Sequence, residues 1–389
     1  MLRTKRGFSI LILSDSKCRV VMPCRFSVAI LAAAVLCPLF AGLGLASAAA
    51  SDQQGGDAEA LIKAGHWKRA RAILAPQVSA HPQDARGSYL LAQVKMSFND
   101  LAGALPLAQH AVDLDGKNAE FHLLLGQVLG EMAAKASIFS AGPLALKFRK
   151  EVETALQLDP QNLDAMYSLM QFKFQAPVLM GGNKDEARAL ADKITALNAS
   201  EGYLARASLA ELEKNPVQVE AYYLKAVQAD PKNYNALTTL GAFYSQPPHQ
   251  KYGEATKHAQ NALQLDPNRV GAHWILARVF VLQERWGDLE QILITSEKDV
   301  PDDPRPFFEA ARSLLEIGKD LPRAEGYAKK YLSQEPEGEE PDAAAGHRLL
   351  GLVFEKEGRT AEARAEIQTA LQLRPNYKAA KDDLIRLAK

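Results

Sequence analysis

The sequence predicts an all-α chain built as one array of paired helices, an α-solenoid, rather than two or three globular domains. Three observations lead there. A short apolar stretch ending in Pro, or in a substitute for it, recurs down the chain. Between these endings, apolar and small residues return at helical spacing. The composition of the 389 residues, 47% hydrophobic, 24% charged and 7% aromatic, suits neither a multi-span membrane protein nor a disordered chain.

The endings fix the period. In order they are Ala80-His81-Pro82, Leu114-Asp115-Gly116, Leu158-Asp159-Pro160, Leu197-Asn198-Ala199 and Ala229-Asp230-Pro231. Then follow Leu265-Asp266-Pro267, Asp299-Val300-Pro301, Gln334-Glu335-Pro336 and Leu373-Arg374-Pro375. Their last residues are 34, 44, 39, 32, 36, 34, 35 and 39 apart. Self-similarity at such a period is the mark of a repeat architecture.

Within one unit, His347 to Pro375, Leu350, Gly351 and Phe354 lie one turn apart on a first helix. Gly358 breaks that helix, and Ala363, Ile367 and Ala370 mark the inner face of a second. Pro375 stops the second helix, because Pro cannot extend the hydrogen-bond ladder and pushes the residue before it away from helix. The small residue of the first helix returns as Ala58, Ala92, Gly126, Ala207, Gly241 and Ala277. The second helix repeats Ala70, Ala104, Ala187, Ala255 and Ala324 near its start and Ala111, Ala155, Ala226 and Ala262 later. Small side chains there let helices approach closely.

This pattern resembles the tetratricopeptide repeat over roughly residues 57–375. The resemblance implies a right-handed α-solenoid of about nine helix pairs filling 51–375, and a binding role played by a concave groove. Residues 376–389 follow the last Pro as a single amphipathic helix, suited to capping the array with a polar outer face. The fifth unit departs from the pattern with Arg206 where the family prefers Leu, and the eighth, near Phe308 to Pro336, fits its first helix poorly. Insertions lengthen the third unit at 137–143, the fourth at 175–184 and the sixth at 246–249. The lengthened third unit and the loop of the fourth are similar to those of bacterial exported tetratricopeptide proteins.

Residues 1–50 read as a leader. The uncharged apolar run from Phe26 to Ala50 follows Arg25 and ends in small residues, with Ala46-Ser47-Ala48 and Ala48-Ala49-Ala50 each fitting a signal peptidase site. Cleavage near Ala48 to Ala50 predicts a periplasmic or secreted protein with no membrane span after signal cleavage. The alternative is an uncleaved anchor, since the run is long enough to span a bilayer. Met22 offers a compact start, in which case 1–21 precede the true N-terminus. Removing the six bases and one acid of 1–50 from the balanced total of 46 each leaves 40 bases and 45 acids, so the mature chain is formally −5. That argues against nucleic acid as the partner, because phosphate binding normally shows as basic excess. All three cysteines, Cys18, Cys24 and Cys37, fall in the leader. The remainder can form neither a disulfide nor a thiolate metal site.

Nothing advertises catalysis. The eight histidines are scattered over different units without a metalloprotease spacing. Gly181-Gly182-Asn183-Lys184 lacks the spacing of a phosphate loop, and there is no G-x-S-x-G elbow. No cofactor, metal ligand or catalytic residue is implied, and the chain reads as a non-catalytic exported scaffold that binds a protein or peptide partner in the groove. The alternative is an accessory factor for envelope assembly (polysaccharide export, outer-membrane or pilus assembly, cytochrome maturation). A remoter one is an enzyme with its site in the insertions.

The candidate partner-binding residues are three pairs on first helices, Tyr89/Gln93, Tyr167/Gln171 and Trp274/Arg278, each an aromatic with an amide or guanidinium one turn on. Trp, Tyr and Arg are enriched in binding hot spots. The competing reading places Trp274 and the tyrosines in the packing between units. In the fourth-unit turn, Val178, Leu179 and Met180 either fold back on neighbouring helices, the expectation favoured here, or contact a partner.

Overall fold

The computed structural model describes residues 56–338 and 341–388. The leader, its cleavage site and all three cysteines lie outside the described residues. No strand occurs among those described. The helices run as nine successive pairs and one last helix. The pairs are α1 (56–64) and α2 (Trp67–Ala80), α3 (Ala85–Ser97) and α4 (Leu101–Leu114), α5 (Ala119–Lys135) and α6 (Ile138–Leu158), and α7 (Leu163–Gln175) and α8 (Lys184–Leu197). Then come α9 (Ala199–Leu212) and α10 (Pro216–Ala229), α11 (Tyr234–Ser245) and α12 (Tyr252–Leu265), α13 (Val270–Leu282) and α14 (Trp286–Asp299), α15 (Arg305–Ile317) and α16 (Leu321–Leu332), and α17 (Ala343–Lys356) and α18 (Thr360–Leu373). The last helix is α19 (Lys378–Leu387).

Every second helix except α16 ends two residues before the Pro, or its substitute, read from the sequence. The turn chemistry explains why. At Leu158-Asp159-Pro160-Gln161-Asn162, the Asp159 N–H closes α6 on the Ala155 carbonyl at 2.8 Å. The Asp159 carboxylate accepts from the Gln161 N–H at 3.1 Å, and Asn162 caps α7 by accepting from the Ala165 N–H at 2.9 Å. Asp115 with Asn118 and Asp230 with Asn233 repeat the arrangement. Each side chain satisfies a backbone donor that a helix start or turn would leave orphaned.

The chain forms two compact units, one of 56–63 with Arg69–Tyr222 and one of Ala64–Lys68 with Tyr223–Lys389. In the first, Met166, Met170 and Phe174 of α7 pack with Ala187, Ala191 and Ile194 of α8 and Ala205 and Leu209 of α9. In the second, Ala380 of α19 closes on Ala344, Ile367 and Ala370 of α17 and α18, while Asp383, buried, accepts from Arg348 at 2.6 Å and Arg386 at 2.7 Å. The repeated alanines Ala70, Ala104, Ala111, Ala155, Ala187, Ala226, Ala255, Ala262 and Ala324 are all fully buried. At Gly351 an added Cβ would come within 2.7 Å of Ile367 and 3.0 Å of the Ala363 carbonyl, so α17 and α18 touch almost backbone to backbone.

The insertions take different forms. The third-unit segment is helix: it lengthens α6 to 21 residues. The fourth-unit segment holds one 3-10 turn, Val178–Met180. The fifth unit has no turn at its start at all, because Asn198 ends α8 and caps α9 at once, accepting from the Glu201 N–H at 3.1 Å. Gly202 makes that abrupt reversal feasible, since a Cβ there would lie 2.2 Å from the Thr195 Cα. Arg206, off pattern in the sequence, reaches back to Asp192 at 2.6 Å and Thr195 at 3.3 Å on α8.

Candidate functional site

In each unit the first helices touch one another in succession: α3, α5, α7 and α9 in the first unit, and α11, α13, α15 and α17 in the second. The second helices bridge each first helix to the next from the other side, as α4, α8, α12 and α16 do. A first helix is therefore walled on three sides by its neighbours.

Tyr89 is buried and accepts from Gln93 Nε2 at 2.7 Å. Its ring lies 5.1 Å from that of Phe121 on α5, under the Arg86 guanidinium at 4.8 Å. Gln93 is half-buried.

Tyr167 and Gln171 are both half-buried and belong to a larger polar group. The Tyr167 hydroxyl donates to Ser208 Oγ of α9 at 3.1 Å. Gln171 Nε2 donates to Ser208 Oγ at 2.6 Å and to the Tyr167 hydroxyl at 3.0 Å, and its own carbonyl accepts from Gln175 Nε2 at 2.9 Å. Gln175 is exposed and Ser208 half-buried. The sequence reading missed these two. Gln175 sits one turn beyond Gln171 and was legible on that ground, whereas Ser208 comes from the next unit and needed the register between units.

The third pair is differently placed. Trp274 is 8% exposed and Arg278 2%. Arg278 Nε donates to the Ser245 carbonyl of α11 at 3.3 Å and Nη1 to Ser313 Oγ of α15 at 3.3 Å. The guanidinium also pairs with Glu316, Nη1 to Oε2 at 2.9 Å. The expectation that this pair faces a groove is corrected: α13 is apolar nearly all round, which is the pattern of a helix enclosed by its neighbours. Arg278 stitches α11, α13 and α15 together, and Trp274 is buried beside it on α13.

The favoured expectation for the fourth-unit turn is corrected as well. Val178 is 86% and Leu179 97% exposed, so neither folds back; Met180 is half-buried. The turn is held by its own backbone: Met180 N–H and Gly182 N–H donate to the Pro177 carbonyl at 2.9 and 3.0 Å, and Asn183 N–H to the Lys173 carbonyl at 2.7 Å. Gly181 adopts φ +94°, a conformation that favours glycine.

Glu337, in the second unit, is the carboxyl most displaced from its usual range. Burial pushes it up to about 7 against the pull of the Lys68 N–H and ammonium. The Lys68 N–H donates to Oε1 at 2.7 Å, and Lys68 Nζ lies 3.4 Å from Oε2 while donating to the Glu335 carbonyl at 2.6 Å. A perturbed acid is a reason to look for chemistry. Here it sits at the first turn of α2, where it satisfies an orphaned helix donor.

Three of the histidines are tied to nearby groups. His122 bridges Glu151 at 2.7 Å and the Gly116 carbonyl at 3.1 Å, His273 meets the Pro267 carbonyl at 2.8 Å, and His347 meets Glu366 at 2.7 Å. Among the described residues no group of three or more His, Cys, Asp or Glu is placed to hold a metal ion. No helix among them is long and apolar enough to cross a membrane.

A sequence model of the tetratricopeptide repeat matches residues 57–119 and 308–378. The two matched stretches lie one towards each end of the array. The second match takes in the eighth unit, whose first helix departs most from the pattern. No curated protein matches the chain. Among solved structures, the chain is similar to yeast Tom70 at 13% identity, covering 88% of each chain with a TM-score of 0.46. It is similar to a thermophilic tetratricopeptide repeat protein of Thermus thermophilus at 17% identity, covering 49% of this chain and 97% of that one with a TM-score of 0.44. It is also similar to a tetratricopeptide repeat protein from Parabacteroides merdae at 18% identity, covering 68% and 99% with a TM-score of 0.45.

Proposed function

We propose that the chain is a non-catalytic, exported scaffold that binds an extended peptide or a protein segment along the open side of its first helices. The observation that carries this reading is the half-open polar group of Tyr167, Gln171, Gln175 and Ser208. Amides and hydroxyls in a row can donate to and accept from a peptide backbone, and the half-buried Tyr167 ring offers contact area at little entropic cost. Matches to the tetratricopeptide repeat towards each end of the array favour a binding role over a catalytic one. Gln93 extends the surface. Val178 and Leu179 form a separate contact.

Export rests on the leader-like 26–50 segment, with processing near Ala48 to Ala50. N-terminal sequencing of the protein recovered from the cell envelope tests it: a start between Ala49 and Ser51 supports export with cleavage, and an intact run to Ala50 in the membrane fraction replaces it with anchoring. The binding surface is tested by Gln93→Ala with Gln171→Ala. Loss of partner recovery at unchanged melting temperature supports the assignment, and full recovery sinks it.

A further inference from the structure

We propose that the junction of α1 and α2, Ala64–Lys68, is a proton-operated clasp, seated while Glu337 is neutral and released as that carboxyl ionises. The junction belongs with the second unit, although Lys68 and Glu337 lie 269 positions apart in the sequence. Lys68 grips the 334–337 turn with both its backbone and its side chain. Its N–H donates to Glu337 Oε1 at 2.7 Å, and its ammonium donates to the Glu335 carbonyl at 2.6 Å and to Gln334 Oε1 at 3.5 Å. His66, buried, sets Nδ1 3.5 Å from Asp302 Oδ2 in the turn between α14 and α15. Gln334 Nε2 donates to the Pro301 carbonyl at 3.3 Å, so the two receiving turns are tied to each other.

The charges around Glu337 decide when the clasp holds. The carboxyl is 3% exposed, and its Oε2 accepts no hydrogen bond among the described residues. Lys68, its Nζ 3.4 Å from that oxygen, favours the ionised form. Asp302 and Asp303 oppose it, and Asp303 is itself paired with Arg305 of α15, whose Nε lies 2.8 Å from both carboxylate oxygens. A buried carboxylate short of a donor is costly, whereas the neutral acid fits the same place at less cost. Opening returns the charged group to water. His66 acts in the same direction, since its protonated form attracts Asp302. Acid therefore closes the clasp and alkali opens it, with the response spread between the ordinary carboxyl value of 4.5 and about 7.

The test is amide hydrogen exchange of the full chain between about pH 5.5 and about pH 8, each rate divided by the intrinsic rate at that pH. Protection at the Lys68 N–H should fall about 25-fold over that range and level off above about pH 7. The Asp266 N–H, which closes α12 on the Ala262 carbonyl, should keep its protection. Glu337→Gln retains an acceptor for the Lys68 N–H, so its junction should stay protected and lose most of the response. His66→Gln should keep most of it. Protection at Lys68 that does not change with pH overturns the proposal. So does a fall that survives in Glu337→Gln or vanishes in His66→Gln, and so does one shared by every helix of the second unit, which is general loosening. The levelling near pH 7 is read from the unsubstituted chain, whether or not either variant folds.

Discussion

Arg278 shows how a charged side chain survives inside a stack of helices. Its guanidinium is enclosed, yet it meets a carbonyl, a hydroxyl and a carboxylate drawn from two neighbouring helices. A buried charge is tolerable only when its donors are satisfied in this way. Arg278→Ala should cost about 1–3 kcal/mol by orphaning the Ser245 carbonyl and Ser313 hydroxyl. Trp274→Ala, which empties a packed site, should cost about 3–5 kcal/mol. Denaturant unfolding of each variant checks both, and a Trp274→Ala chain as stable as the parent would contradict the placement.

Glu337 gives a pH dependence with a definite sign. Its folded-state value, raised to about 7, exceeds the usual 4.5, so the folded protein holds a proton that the unfolded chain releases. The group thus favours folding most fully below about pH 4.5, and that contribution is lost as pH rises through about 7. Asp302 and Asp303 push in the same direction, while Lys68 opposes them. Glu337→Gln keeps an acceptor for the Lys68 N–H and removes the titration. Melting temperature between pH 5 and 8 should then fall less steeply in the variant, and an unaltered slope would contradict the assignment.

At the scale of the element, the helices and their ends were legible because they depend on local chemistry. The Asp-Pro-x-Asn turns combine a helix stop with the cap of the next helix, and both are written within five consecutive residues. Asn198 compresses the two jobs into one side chain, so Asn198→Ala should cost about 1–2 kcal/mol, measured by thermal unfolding. The small residues at close contacts were legible for the same reason. Which side of a first helix faces a neighbour was not, because periodicity places residues on a stripe but does not say what covers it. Tyr167 and Trp274 occupy similar sequence patterns, yet one lies half-open and the other is enclosed among α11, α13 and α15. The Val178–Met180 turn eluded the sequence too, since an apolar triplet suggests burial unless the turn geometry is known. Because Val178 and Leu179 touch little, Val178→Ser with Leu179→Ser should shift stability by no more than about 0.5 kcal/mol. A larger loss would show that the turn packs after all.

At the scale of the molecule, stability comes from repetition. Each helix pair leaves an apolar face that the next pair covers, and α19 ends the second unit with Lys378, Lys381 and Asp382 turned to solvent. Glu297 of α14 pairs with Lys330 of α16 at 2.6 Å, Glu325 of α16 with Arg359 at the start of α18 at 2.6 Å, and Glu284 with Lys319, both in turns between the helices of a pair, at 2.6 Å. These pairs fill the outer face with short intramolecular contacts, whereas the open side of the first helices keeps half-buried amides and hydroxyls within reach of another chain. The proposed binding surface depends on that difference. Its most direct measurement is photo-crosslinking in intact cells from a probe placed at Gln171 or Gln93, against the same probe at the exposed outer residues Ile294 and Leu373. A discrete adduct from the first-helix positions and none from the outer ones is the predicted result; no adduct from Gln171 and Gln93, or equal adducts from all four, would contradict it.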